Sequence, residues 1–171
     1  MASTYIATVQ PNFSANYNLL AICNTHATLI VKIRRLRLLN HQSAGVVGVP
    51  AFGEFRLYTG AGISGHAAVT PVSMDTTNSA INAAILFGYG GALTGTPTVL
   101  RRYVWSTDEA VSTALTIDEY QTIDTWMTLW DVGFGDSNIQ KLTLRQNEMV
   151  SLYNLSGATG AVTVWISFTV E

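Results

Sequence analysis

From Ala161 to Val170 the chain alternates with a period of two. Val162, Val164, Ile166, Phe168 and Val170 fall on one side, and Ala161, Thr163, Trp165, Ser167 and Thr169 on the other. A helix would scatter these two sets around its circumference, whereas a pleated strand separates them onto two faces. The segment is therefore a half-buried strand, and its apolar face needs a second layer to cover it.

The same period recurs elsewhere. Glu119 to Asp131 alternates, with Tyr120, Thr122, Asp124, Trp126, Thr128 and Trp130 opposite Gln121, Ile123, Thr125, Met127 and Leu129. The tryptophan face carries an acid and two threonines, so Ile123, Met127 and Leu129 are expected inside. Thr28 to Asn40 starts with Leu29, Val31 and Ile33 in phase and then changes parity to Leu36 and Leu38. A strand that stays half buried does this by inserting a residue, which places a bulge near Arg34-Arg35. Further strands are expected at Tyr17–Cys23, Phe52–Thr59, Val69–Met74, Thr98–Trp105, Leu142–Arg145 and Met149–Asn154. Turn signals separate them at Gly45, Gly60-Ala61-Gly62, Gly88–Gly95, Gly133–Asp136 and Gly157–Gly160. Asp75 to Ala84 is the one candidate for a short helical turn, with Asp75 as its cap. The expectation is an all-β, antiparallel β-sandwich, jelly-roll-like, with about eight strands and minimal helix. An immunoglobulin-type sandwich fits less well, because the buried cysteine pair is absent. The 171 residues read as one domain, with residues 1–16 set apart as an extended N-terminal arm.

Charge narrows the function. Only 12% of residues are charged while 48% are hydrophobic, which argues against a disordered chain. The net charge of −2 argues against binding nucleic acid through bulk positive charge. Residues 1–102 hold seven bases and two acids, and residues 103–171 hold two bases and nine acids. The two halves either neutralise each other within one fold or meet between copies, basic face against acidic face. Met1–Val31 has no Asp, Glu, Lys or Arg, and Leu57–Leu100 has only Asp75. Surfaces poor in charge suit a subunit covered by neighbours, and seven Arg against two Lys points the same way. A homo-oligomer is the expectation. No apolar run approaches the ~20 residues of a membrane span, and the first residues do not read as a signal peptide.

No catalytic or cofactor constellation stands out. His26, His41 and His66 lack close metal spacing, so neither a metal nor another cofactor is expected. Cys23 sits in an apolar strand and reads as a buried structural thiol. Asp108-Glu109 and Asp118-Glu119 are adjacent acids that point to opposite faces of a strand, which is unsuited to paired acid–base work. Gly88-Tyr89-Gly90-Gly91 lacks the Lys-Ser/Thr of a phosphate loop. The sequons Asn12-Phe13-Ser14 and Asn154-Leu155-Ser156 read as chance matches without an export signal. The basic clusters are Arg34, Arg35 and Arg37, and Arg101-Arg102. Their expected use is ion pairing with the acidic half, not direct nucleic-acid contact. Trp126 and Trp130, joined by Trp105 and Trp165, form a sugar platform, an interface anchor or a second layer of core. Arg34, Arg35, Arg37, Arg101, Arg102, Trp105, Trp126 and Trp130 are thus the candidate contacts to other copies or to a partner.

Several runs carry a family resemblance. They are Arg37-Leu38-Leu39-Asn40, Phe55-Arg56-Leu57-Tyr58, Thr70-Pro71-Val72 with Met74-Asp75-Thr76, Leu100 to Glu109, Trp130-Asp131, Gly135-Asp136-Ser137-Asn138 and Leu142 to Glu148. In order and texture, from about Ile33 onward, the chain resembles small tailed-phage virion proteins of the capsid decoration, or cement, type. Where members commonly have Gly after an Arg-Gln pair, this chain has Asn147. The resemblance implies a jelly-roll protein, not an enzyme, made in the host cytoplasm and located on the capsid surface of the virion. Its implied partners are the major capsid protein or another virion protein, and copies of itself, with a trimer favoured. It implies no membrane partner. The competing expectation is a receptor- or glycan-binding module of a phage fibre or spike.

Overall fold

The computed structural model describes residues 2–40, 50–106, 126–132, 141–156 and 160–171. Among them are twelve strand segments and no helix: β1 Ser3–Val9, β2 Tyr17–Asn24, β3 Val31–Asn40, β4 Pro50–Ser64, β5 Ala67–Ala68, β6 Val72–Ser73, β7 Ile85–Tyr89, β8 Ala92–Ser106, β9 Met127–Asp131, β10 Leu142–Leu144, β11 Glu148–Asn154 and β12 Val162–Val170. They form two antiparallel sheets of six. Sheet I runs β10-β3-β12-β1-β6, with β9 also on β3, and sheet II runs β5-β7-β2-β11-β4-β8.

The pairings are nested. β1 pairs with β12, β2 with β11, β3 with β9 and β10, and β4 with β8. This is one long hairpin of paired strands, wrapped so that β3 also meets β12 and β4 meets β11. Of the nested pairs, β1 with β12 and β3 with β9 and β10 lie in sheet I, and β2 with β11 and β4 with β8 lie in sheet II, which gives the jelly-roll-like sandwich expected, built from twelve strand segments where about eight were expected. β5 and β7 extend sheet II beyond β2, and β6 extends sheet I beyond β1.

The core lies between the sheets. Val162, Val164, Ile166 and Phe168 of β12 are buried there, as the alternation requires. Each such side chain contributes roughly 1.5–3 kcal/mol of apolar burial. On β3, Ser167 faces Arg35 and Phe168 faces Ile33, so Arg34 is the inserted residue. That bulge keeps Val31, Ile33, Leu36 and Leu38 all inside. The device repeats on β2, where Leu152 faces Leu20 and Tyr153 faces Asn18. Leu19 is the extra residue there, and Leu19, Leu20 and Ile22 all join the main core.

Sheet II is also covered on its outer face. Ala21, Cys23, Tyr58, Ala61 and Met149 form a second cluster, with Ile63, Leu86 and Leu93 packed on it. A register break between Thr59 and Gly62 lets the end of the β4–β8 ribbon lie over β2 and β11, and Ala61 N–H donates to Asn147 O at 2.7 Å. Asn147 has φ 59°, a left-handed conformation that asparagine tolerates better than most residues.

Within the stretch expected as an extended N-terminal arm, Ser3–Val9 is a sheet strand, β1, held between β12 and β6 with Tyr5, Ala7 and Val9 buried. Two expectations are corrected. Asp75 starts a turn and no helix. Its Oδ1 accepts from Thr77 N–H at 2.9 Å and from Thr77 Oγ1 at 2.7 Å, closing the chain on itself locally. Trp130 does not share the outward face assigned to it. Leu36 faces Trp130 and Arg37 faces Thr128, so Leu129 is an inserted residue that reverses parity. Trp130 then follows Leu36 inward, and its ring lies 5.9 Å from that of the buried Phe55. The inward assignment of Leu129 holds, and Met127 packs half-buried against the core. Ile123, the rest of the Glu119–Thr125 segment, both adjacent acid pairs, His41 and the turns at Gly45 and Gly133–Asp136 lie outside the described residues.

Candidate interaction surface

The basic clusters lie on different sheets. On sheet I, Arg34 stands exposed on its bulge. Arg35 Nε meets Asp131 Oδ2 at 2.8 Å across β3 and β9. Arg37 lies 5.9 Å over the Trp165 ring, and its buried Nε has no hydrogen-bond partner. On sheet II, Arg101 reaches across the edge of the sandwich. Its Nη1 donates to Leu129 O at 2.8 Å and to Thr128 O at 3.3 Å, tying β8 to β9.

Pairing between the two halves of the chain is partly realised. Arg35–Asp131 and Lys32–Glu171 are such pairs. Arg102 instead pairs within the first half of the chain, its Nε donating to Glu54 Oε1 at 3.1 Å. Glu54 also receives Arg56 Nε at 2.8 Å on Oε2. Arg56 Nη1 donates to Tyr58 OH at 3.2 Å, and its guanidinium lies 4.1 Å over the Tyr153 ring. Burial pushes the Glu54 carboxyl up, but hydrogen bonds and charge from Arg56 and Arg102 outweigh it and hold the group below the usual carboxylate range. This cluster was missed as a site. Its signal was the alternation of Phe52, Glu54, Arg56 and Tyr58 along β4, opposite Ala51, Gly53, Phe55 and Leu57.

Among the described side chains, the tryptophans do not gather as expected. Trp130 turns to the core, and its buried Nε1 has no partner. Trp126 is half-buried just before β9. Trp105 is opposite Ala51 on β8, with its side chain outside the described atoms. Trp165 lies on the outer face of sheet I beneath Arg37.

An apolar corner lies beside the Glu54 cluster. Phe52 and Val104 are cross-strand partners on the outer face of sheet II, and both are exposed, as are Val99 and Leu155. Leu155 N–H donates to Phe52 O at 2.7 Å, fixing the corner to the end of β11. On the inner face, the Tyr103 ring packs against Gly53, where a Cβ would come within 2.2 Å of the phenol ring. Burial pushes that phenol's pKa well up.

Other polar groups serve the fold. His26 Nδ1 accepts from Thr28 and Leu29 N–H in a turn. Cys23 is buried in the outer cluster, and burial raises its thiol. Among the described residues, no group of three or more His, Cys, Asp or Glu is placed to hold a metal. Asn154 of the second sequon is fully buried. Its Nδ2 donates to Ser14 O at 2.7 Å and Ser156 O at 2.8 Å, so the amide is occupied in the folded chain. Comparison with protein-family models, curated proteins and solved structures finds no match.

Proposed function

We propose that this chain is a non-enzymatic structural subunit of a virion, a capsid decoration protein that binds the outer capsid lattice and braces it. The observation that carries the reading is the surface made by Leu57–Leu100. This stretch holds a single charged side chain, Asp75. Much of it stands exposed, including Thr59, Ala67, Thr70, Ala92, Thr96 and Thr98. A free solvent face normally mixes Lys, Arg, Glu and Asp, whereas a surface of Thr, Ala, Ser and Gly loses little charge solvation when a protein covers it. The family resemblance read from the sequence supports the same role. Function on this reading is contact area, repeated by many copies across the seams between capsomers. Each copy favours the closed lattice by binding it and not the opened one. The partners are the major capsid protein and further copies of the chain, with no role for nucleic acid or membrane.

Co-sedimentation tests the reading. The protein is expected to pellet with empty capsids assembled from the major capsid protein of the same virus, and to leave a glycan array blank. Binding to sugars with no binding to capsids would overturn the proposal in favour of a receptor-binding module. That alternative rested on an aromatic platform, from which Trp130 is turned away.

A further inference from the structure

Among the described residues, the exposed large apolar side chains fall into two groups at opposite corners of the sandwich. One group is Val99 and Val104 on the edge strand β8, Phe52 on the neighbouring β4 and Leu155 just past the end of β11, exposed by 42, 57, 51 and 39%. The other is Val72 and Met74, exposed by 64 and 65%, along the β6 edge of sheet I. The topology sets these corners apart. Arg101 ties β8 to β9 on one side of the molecule. On the other side, Phe87 of β7 stacks 6.2 Å from Phe168, which stacks 5.8 Å from Tyr5 of β1, the neighbour of β6.

The two corners also differ in sign. The β8 corner carries Arg102, whose side chain is 80% exposed and shares the buried Glu54 with Arg56, so two guanidiniums stand against one carboxylate and the corner is net positive. The β6 corner carries Asp75, exposed directly after Met74. We infer that the two corners are the halves of one head-to-tail interface, the β8 corner of one copy packing on the β6 corner of the next, with Arg102 meeting the neighbour's Asp75. The inference rests on the reading of the chain as an assembling subunit and names the surfaces by which it assembles. Charge decides between modes of assembly. A two-fold contact through the β8 corner would bring two net-positive corners together, whereas head-to-tail contact pairs opposite charges and covers apolar surface on both partners. Such a contact repeats, so it closes a ring if the rotation allows and otherwise extends.

Mixing two broken variants tests this directly. Val104→Arg spoils only the β8 corner, and Met74→Arg spoils only the β6 corner. Both sites are exposed, so the monomer fold should survive, as thermal melting can verify. Val99→Arg and Val72→Arg form an independent pair at the same corners if either first variant is unstable. Wild type should sediment as more than one chain at hundred-micromolar concentration. Each variant alone should be monomeric, and an equimolar mixture should form a two-chain complex and nothing larger, because one intact interface remains. A monomeric wild type, a single variant that assembles like wild type, or a mixture that stays monomeric would overturn the inference. A monomeric wild type that still pellets with capsids would overturn it while leaving the decoration role standing.

Discussion

Trp130 shows how one inserted residue changes what a side chain does. In strict alternation from Met127 and Leu129 it would face solvent, and its loss would leave the monomer intact. With Leu129 inserted, its ring packs near Phe55 inside the sandwich. Trp130→Ala should therefore lower unfolding stability by ~3 kcal/mol, as the truncation of a large side chain packed on a core does. Denaturant unfolding measures this, and a change within ~0.5 kcal/mol, typical of surface sites, would return the ring to the outside. Glu54 offers a second test at this scale. Its folded pKa is lowered by Arg56 and Arg102 against the opposing effect of burial. A depressed carboxylate contributes stability above its unfolded pKa of ~4.3 and loses that contribution as pH falls through the folded value. Glu54→Gln should thus melt below wild type at neutral pH, with the gap narrowing as the buffer is taken below the ordinary carboxylate range. A gap independent of pH would mean that the charge of Glu54 does not matter.

At the scale of elements, bulges decide the phase of each strand and explain what the sequence revealed. The bulge of β3 was legible because Val31 and Ile33 fall out of step with Leu36 and Leu38, and only an inserted residue buries both pairs. The bulge of β9 was not, because Met127, Leu129 and Trp130 are all apolar and either phase satisfies the pattern. β1 is faint in the sequence because its inward set includes the small Ala7, while Ile6 lies on the other face and blurs the alternation. The Glu54 cluster depends on Arg102, forty-eight positions away in the chain, and only the β4–β8 register brings it close. The β3 bulge can be tested. Arg34→Ala should leave stability within ~0.5 kcal/mol, since the side chain is exposed. Deleting Arg34 should abolish cooperative folding, because the shift turns either Val31 and Ile33 or Leu36 and Leu38 to the outer face. A deletion variant that melts like wild type would contradict the register.

At the scale of the molecule, the sandwich presents one long stretch, Leu57–Leu100, in which Asp75 is the single charged side chain. Arg35 pairs with Asp131, Arg56 and Arg102 share Glu54, and Arg101 binds the carbonyls of β9, while the two basic clusters sit on different sheets and do not form one basic face. Titration with duplex DNA at low salt, where phosphate contacts are strongest, should accordingly show no binding. Salt-sensitive binding lost on replacing Arg34, Arg35 and Arg37 would contradict this. The central claim, that the chain braces a capsid, is tested most directly by the temperature at which empty capsids of the same virus open as the protein is added. The account predicts that this temperature rises with added protein and levels off at a fixed ratio of copies to capsid. Capsids that open at the same temperature at every ratio, with the added protein still folded, would contradict it.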